Sequence, residues 1–81
     1  MAAKMQLEFR FKKQVPADYE DLKEVLAKRL KVQVKREKAK GKALILIVKA
    51  KDPGAVTEES IMPLLKRTEH RKEVKSVTVL A

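Results

Sequence analysis

Two periods organise the first part of the chain. In "MQLEFRFKK", Leu7, Phe9 and Phe11 fall on one side of an extended backbone, and Gln6, Glu8, Arg10 and Lys12 on the other. A period of two with aromatic residues on one face predicts a half-buried strand. "QVPAD" ends it, because Pro16 lacks an N–H and restrains Val15. In "DYEDLKEVLAKRLK" the period becomes helical, with Tyr19, Leu22, Val25, Leu26 and Leu30 on one stripe. Asp18 is the expected N-cap. Glu20, Asp21 and Glu24 suit the positive end of the helix dipole, and Lys28, Arg29 and Lys31 the other end. Glu24 and Lys28 add a favourable i,i+4 pair.

Alternation returns in "KVQVKRE", with Val32 and Val34 inward and Lys31, Gln33 and Lys35 outward. "KAKGK" predicts a turn in which Gly41 supplies a positive φ. "ALILIVKAK" is the returning strand. Lys49 and Lys51 need water, so Leu44, Leu46, Val48 and Ala50 face the core, and Ala43, Ile45 and Ile47 share the outer face with those lysines. "DPGAVTEES" is a loop, and Pro63 limits where the next helix starts. A cap at Thr57 would put Pro63 in the helix interior, at a cost of up to ~3 kcal/mol. A cap at Ser60 leaves it in the first turn, so Ser60 is the expected cap. Ile61, Leu64 and Leu65 form the apolar face, and His70, Arg71 and Lys72 close the helix. "VKSVTVLA" is a last strand, with Val77 and Val79 inward and Ser76, Thr78 and Leu80 outward.

The order strand, helix, strand, strand, helix, strand over residues 1–81 predicts a single α+β domain. Two right-handed βαβ-type units joined by a hairpin give a four-stranded antiparallel sheet of order 4-1-3-2, with both helices on one face. That is the ferredoxin-like βαββαβ sandwich. A β-grasp fold needs a hairpin before the first helix, and "KKQVPAD" is too short to supply its second strand. No apolar run approaches the ~20 residues of a membrane span, and "MAAKMQLEF" lacks the apolar segment of a secretory signal. The expected location is cytoplasmic, with no membrane partner. Absence of Cys fits a reducing compartment, and a Lys-rich, Cys-free surface suits a heat-stable (thermostable) protein.

Charge changes this picture at one place. Residues 31–51 hold eight Lys and Arg against the single acid Glu37, a net of +7 out of +9 for the chain. The open sheet face and the hairpin gather Arg10, Lys12, Lys35, Arg36, Lys38, Lys40, Lys42, Lys49 and Lys51. Such a stripe is suited to tracking phosphates, each neutralised charge releasing counterions. The topology resembles that of RNA-recognition motifs, which stack bases on aromatics of the two central strands. Here those positions hold Glu8, Arg10, Ile45 and Ile47, no run like "KGFGFV" occurs, and both Phe side chains point inward. The resemblance covers topology, and implies binding led by backbone charge with little base preference.

Catalysis is not expected. His70 is the only His, there is no Cys, and no metal-ligand spacing exists. Small enzymes of this topology, such as acylphosphatases, use a phosphate-holding backbone loop, an Arg and an Asn; this chain has no Asn, and its glycines stand apart at 41 and 54. No cofactor fingerprint appears. The expected function is a small basic nucleic-acid-binding module, with RNA favoured over DNA. The alternatives are a protein-interaction module facing an acidic surface, a homodimer using Ile45, Ile47 and Leu80, or a scaffold or engineered domain without a ligand. In each of these the lysines also protect exposed strand edges.

Overall fold

The structure, a computed structural model, describes residues 3–68 and 72–80. Its elements are β1 (Ala3–Phe11), α1 (Glu20–Leu30), β2 (Val32–Lys40), β3 (Ala43–Ala50), a 3-10 turn (Pro53–Ala55), α2 (Glu58–Leu65) and β4 (Val74–Leu80). The strands pair antiparallel in the order β2-β3-β1-β4, which is the expected order read from the other edge. Met5, Leu7, Phe9 and Phe11 of β1 and Leu44, Leu46, Val48 and Ala50 of β3 are buried on one face. Leu22 and Leu26 of α1 and Ile61 and Leu65 of α2 join them in a single cluster. Both helices therefore cover the same face of the sheet. Among the described residues no helix is long and apolar enough to cross a membrane.

Several boundaries differ from the sequence expectations. Tyr19, not Asp18, occupies the cap position of α1 and makes no side-chain cap bond. Asp18 acts from one residue earlier, where its Oδ1 accepts the Glu20 N–H at 3.1 Å. Lys31 is not a strand residue. It is the C-cap of α1 in the left-handed conformation, φ 55°, which costs a side-chain-bearing residue roughly 1–2 kcal/mol. Only this residue separates α1 from β2, so the whole reversal falls on it. β1 ends at Phe11 and β3 at Ala50, so Lys12 and Lys51 follow their strands instead of lying in them.

The β2–β3 hairpin is tighter than "KAKGK" implied. β2 continues to Lys40, which pairs with Ala43, leaving Gly41 and Lys42 as a two-residue loop. Gly41 at φ 60° meets the requirement of the first position of a type II′ turn.

Thr57, not Ser60, caps α2. The Ser60 N–H donates to Thr57 Oγ1 at 3.1 Å and the Thr57 N–H to Ser60 Oγ at 3.0 Å, so Ser60 is the third-position partner of a capping box. Pro63 consequently lies inside the helix. The carbonyl left without a donor belongs to Glu59, and both residues are exposed, so water can serve it. The helix ends two residues later at Leu65, well short of Lys72, which lies in an exposed turn. His70 and Arg71 lie outside the described residues. The buried Thr68 donates its hydroxyl to the Leu65 carbonyl at 2.8 Å. At the far edge, Glu58 Oε2 accepts the Val79 N–H of β4 at 2.8 Å.

Phe9 is fully buried between β3 and β4 partners, whereas Leu80 is 44% exposed. Phe9→Ala is expected to lower unfolding free energy in urea by about 3–5 kcal/mol, and Leu80→Ala by under about 0.5 kcal/mol.

Candidate functional site

The layout of the open face depends on two extra residues. Val34 pairs with Val48, but the next pair is Arg36 with Ile47, leaving Lys35 as a β-bulge. Strict alternation from Val34 would send Arg36, Lys38 and Lys40 under the helices. The bulge shifts the phase by one, so these three pair with Ile47, Ile45 and Ala43 on the open face. Glu37 and Ala39, opposite Leu46 and Leu44, turn toward the helix side. A second bulge leaves Lys75 extra between Arg10↔Ser76 and Phe11↔Val74.

Four cross-sheet rows result. Lys40, Ala43, Arg10 and Ser76 form the first, at the turn end; Lys38, Ile45, Glu8 and Thr78 the second; Arg36, Ile47, Gln6 and Leu80 the third. Gln33, Lys49 and Lys4 form the fourth. Six cations therefore share this face with one carboxylate, Glu8, whose Oε1 lies 3.4 Å from Arg10 Nη2. Among the described residues Lys4, Arg36, Lys38, Lys40 and Lys49 have no ion pair with a carboxylate.

Of the expected site residues, the structure thus gathers Arg10, Arg36, Lys38, Lys40 and Lys49 on one surface. Lys42 stands at the hairpin tip beside them, and Lys35 sits at the bulge. Lys12 and Lys51 lie beyond opposite ends of the sheet. Ile45 and Ile47 are only half exposed, flanked by Lys38 and Arg36. Leu80 does not join them, because Gln6 stands between Leu80 and Ile47. Lys4 and Lys75 were not among the expected residues. A strand that starts at Ala3 adds Lys4, and the β4 bulge turns Lys75 toward the turn end, where it lines a cavity with Arg10, Lys40 and Lys42.

Glu37, the one acid of the basic segment, is removed from the open face and tied to α1. Its Oε2 accepts from Lys23 Nζ at 2.9 Å and its Oε1 from the Tyr19 hydroxyl at 3.1 Å. Lys23 also meets Glu20 at 2.8 Å and stands 5.3 Å from the Tyr19 ring centroid. Hydrogen bonds from Lys23 and then Tyr19 hold the Glu37 carboxyl below its ordinary range. Hydrogen bonds to Glu20 and Glu37 push the Lys23 ammonium up. Burial, followed by the bond to Glu37, raises the Tyr19 hydroxyl.

Compared with family models, curated proteins and solved structures, the chain matches none. Among the described residues no group of three or more His, Cys, Asp or Glu is placed to hold a metal ion.

Two expectations follow from this geometry. Deleting Lys35 removes the bulge without changing the face of any other β2 residue, so the variant should fold with stability within about 1 kcal/mol of wild type. Deleting Lys38 also leaves an unbulged strand, but one that turns Arg36 to the helix side and Glu37 to the open face, so it should be clearly less stable than the Lys35 deletion; urea denaturation separates the two cases. The second concerns pH. Glu37 is depressed when folded, so its contribution is present above the ordinary value of 4.5 and lost as pH falls through the folded value. Lys23 is raised, so its contribution is present below 10.5 and lost as pH rises through the folded value. Between these limits wild type should exceed Glu37→Gln in stability, and the gap should close as pH is lowered from 6 to 3 (about the range over which a carboxylate titrates).

Proposed function

We propose that the domain is a ferredoxin-like sandwich that binds single-stranded nucleic acid, RNA above DNA, through its open sheet face, with contacts led by the phosphate backbone. The element order and the strand order support the fold name. The observation that carries the function is the β2 bulge. It places Arg36, Lys38 and Lys40 on the same face as Arg10, Lys4 and Lys49, while Glu37 is held away by Lys23 and Tyr19. A surface of six cations and one paired acid attracts a polyanion, and each phosphate bound releases counterions. Ile45 and Ile47 between the cations offer apolar contact to sugars and bases without reading sequence. No catalytic step and no cofactor is part of this reading, and its setting is cytoplasmic.

A homodimer with open faces apposed is the weaker reading. It would set six cations against six, and like-charge juxtaposition across an interface costs several kcal/mol. The apolar surface available is Ile45 and Ile47 alone, since Leu80 is set apart by Gln6.

Titration of mixed-sequence single-stranded RNA and DNA across about 50–200 mM salt tests the proposal. Affinity should fall with a slope near −0.7 per phosphate contacted, and Lys38, Lys40 and Lys42 changed together to Ser should reduce that slope by about 2. The loss should be equal for all sequences. Binding no stronger than that of an unrelated protein of equal net charge would refute it.

A further inference from the structure

At the turn end of the sheet, the first cross-sheet row closes around a cavity of about 240 Å³ lined by Arg10, Phe11, Lys40, Lys42, Ala43 and Lys75. Four of these six carry positive charge, and no carboxylate lines the cavity. The cations are brought together by backbone features. The β4 bulge supplies Lys75, the β2 bulge supplies Lys40, and the two-residue loop supplies Lys42. The loop is fixed from both sides, because the Phe11 N–H donates to the Lys42 carbonyl at 2.8 Å and the Val15 N–H to the Gly41 carbonyl at 3.2 Å. Among the described residues Lys40, Lys42 and Lys75 have no carboxylate partner, and the exposed Arg10 is held by Glu8 at 3.4 Å. Gathering like charges in a concavity is unfavourable until an anion enters it.

We propose that this cavity receives the terminal phosphate monoester of a nucleic-acid strand, whose following phosphates run along Lys38 and Arg36. This rests on the nucleic-acid reading above and adds an end preference to it. A terminal monoester carries about −1.5 to −2 charge and three acceptor oxygens, against one negative charge for an internal diester. With three free oxygens such a group can accept from Arg10 on β1, Lys40 on β2 and Lys75 on β4 together, where an internal diester offers two. Arg10 provides a planar fork and the lysines provide point donors. Beyond the cavity, Lys38 and Arg36 follow Lys40 on β2 at steps of about 7 Å, which carries the strand away along the open face.

The test uses three RNA oligomers of one sequence, bearing a 5′-phosphate, a 3′-phosphate, or hydroxyls at both ends. One phosphorylated form should bind about tenfold tighter than the hydroxyl form, the gain expected of a few charge-assisted hydrogen bonds. That advantage should shrink below about pH 6, where the monoester loses its second charge. Lys75→Ser should reduce the advantage to under about twofold, while Lys66→Ser, an exposed cation just after α2, should leave it intact. Equal affinity for all three oligomers would overturn the pocket and leave the open-face track standing. Equal loss in the two variants would overturn the pocket as well, since net charge alone would then explain it. Failure of every oligomer to bind would overturn the nucleic-acid reading and this inference with it.

Discussion

Leu7 and Phe9 on β1 lie in register with Leu46 and Leu44 on β3, and the dry layer these four side chains make decides where everything else can go. A strand has two faces, and a one-residue slip exchanges them. Once this pair has its apolar side covered by Leu22, Leu26, Ile61 and Leu65, the other side of the sheet must be wet. Each neighbouring strand then has to bring its charges to the wet side or not pair at all. The β2 bulge is the outcome of that demand: were Lys35 paired in the ladder, Arg36, Lys38 and Lys40 would lie beneath the helices.

The strands at the centre were readable because each carries its own markers of phase, the aromatics of β1 and the lysine that ends β3. The stripe of α1 was readable for the same reason, and Leu22 and Leu26 are its buried members. The bulges were harder to see, although the chain does carry their signal. Val34 and Ala39 both belong to the helix side at an odd spacing of five, and Val74 and Val77 at an odd spacing of three. Inward residues at odd spacing require one extra residue between them. Ala39 is too small and Val74 too near a turn for hydropathy alone to mark them as inward. The cap of α2 could not be decided from "TEES" and Pro63, because the answer depends on whether the Glu59 carbonyl meets water, and that is a matter of tertiary exposure. Lys31 carries a left-handed backbone with no glycine to mark it.

Charge on this molecule is sorted as much as it is abundant. The helix side of β2 holds Glu37 with Lys23 and Tyr19, a tie that fastens α1 to the strand. The wet side holds cations with little to neutralise them. Both arrangements come from the same stretch of chain, "VKREKAK", and the single bulge separates them. An unbulged strand in that phase would have turned Val32 and Val34 to the wet side.

The carboxylate of Glu58 on the Val79 N–H has a consequence for how copies of the domain can gather. An edge strand with free donors invites another strand to extend the sheet. On the β4 side an incoming strand would first have to displace the Glu58 side chain from that donor. On the β2 side it would meet a kink at Lys35 and a fringe of ammonium groups. Both margins thus resist strand addition at these points, so copies of the domain brought close together would stand side by side as separate tiles and not fuse into a continuous ribbon.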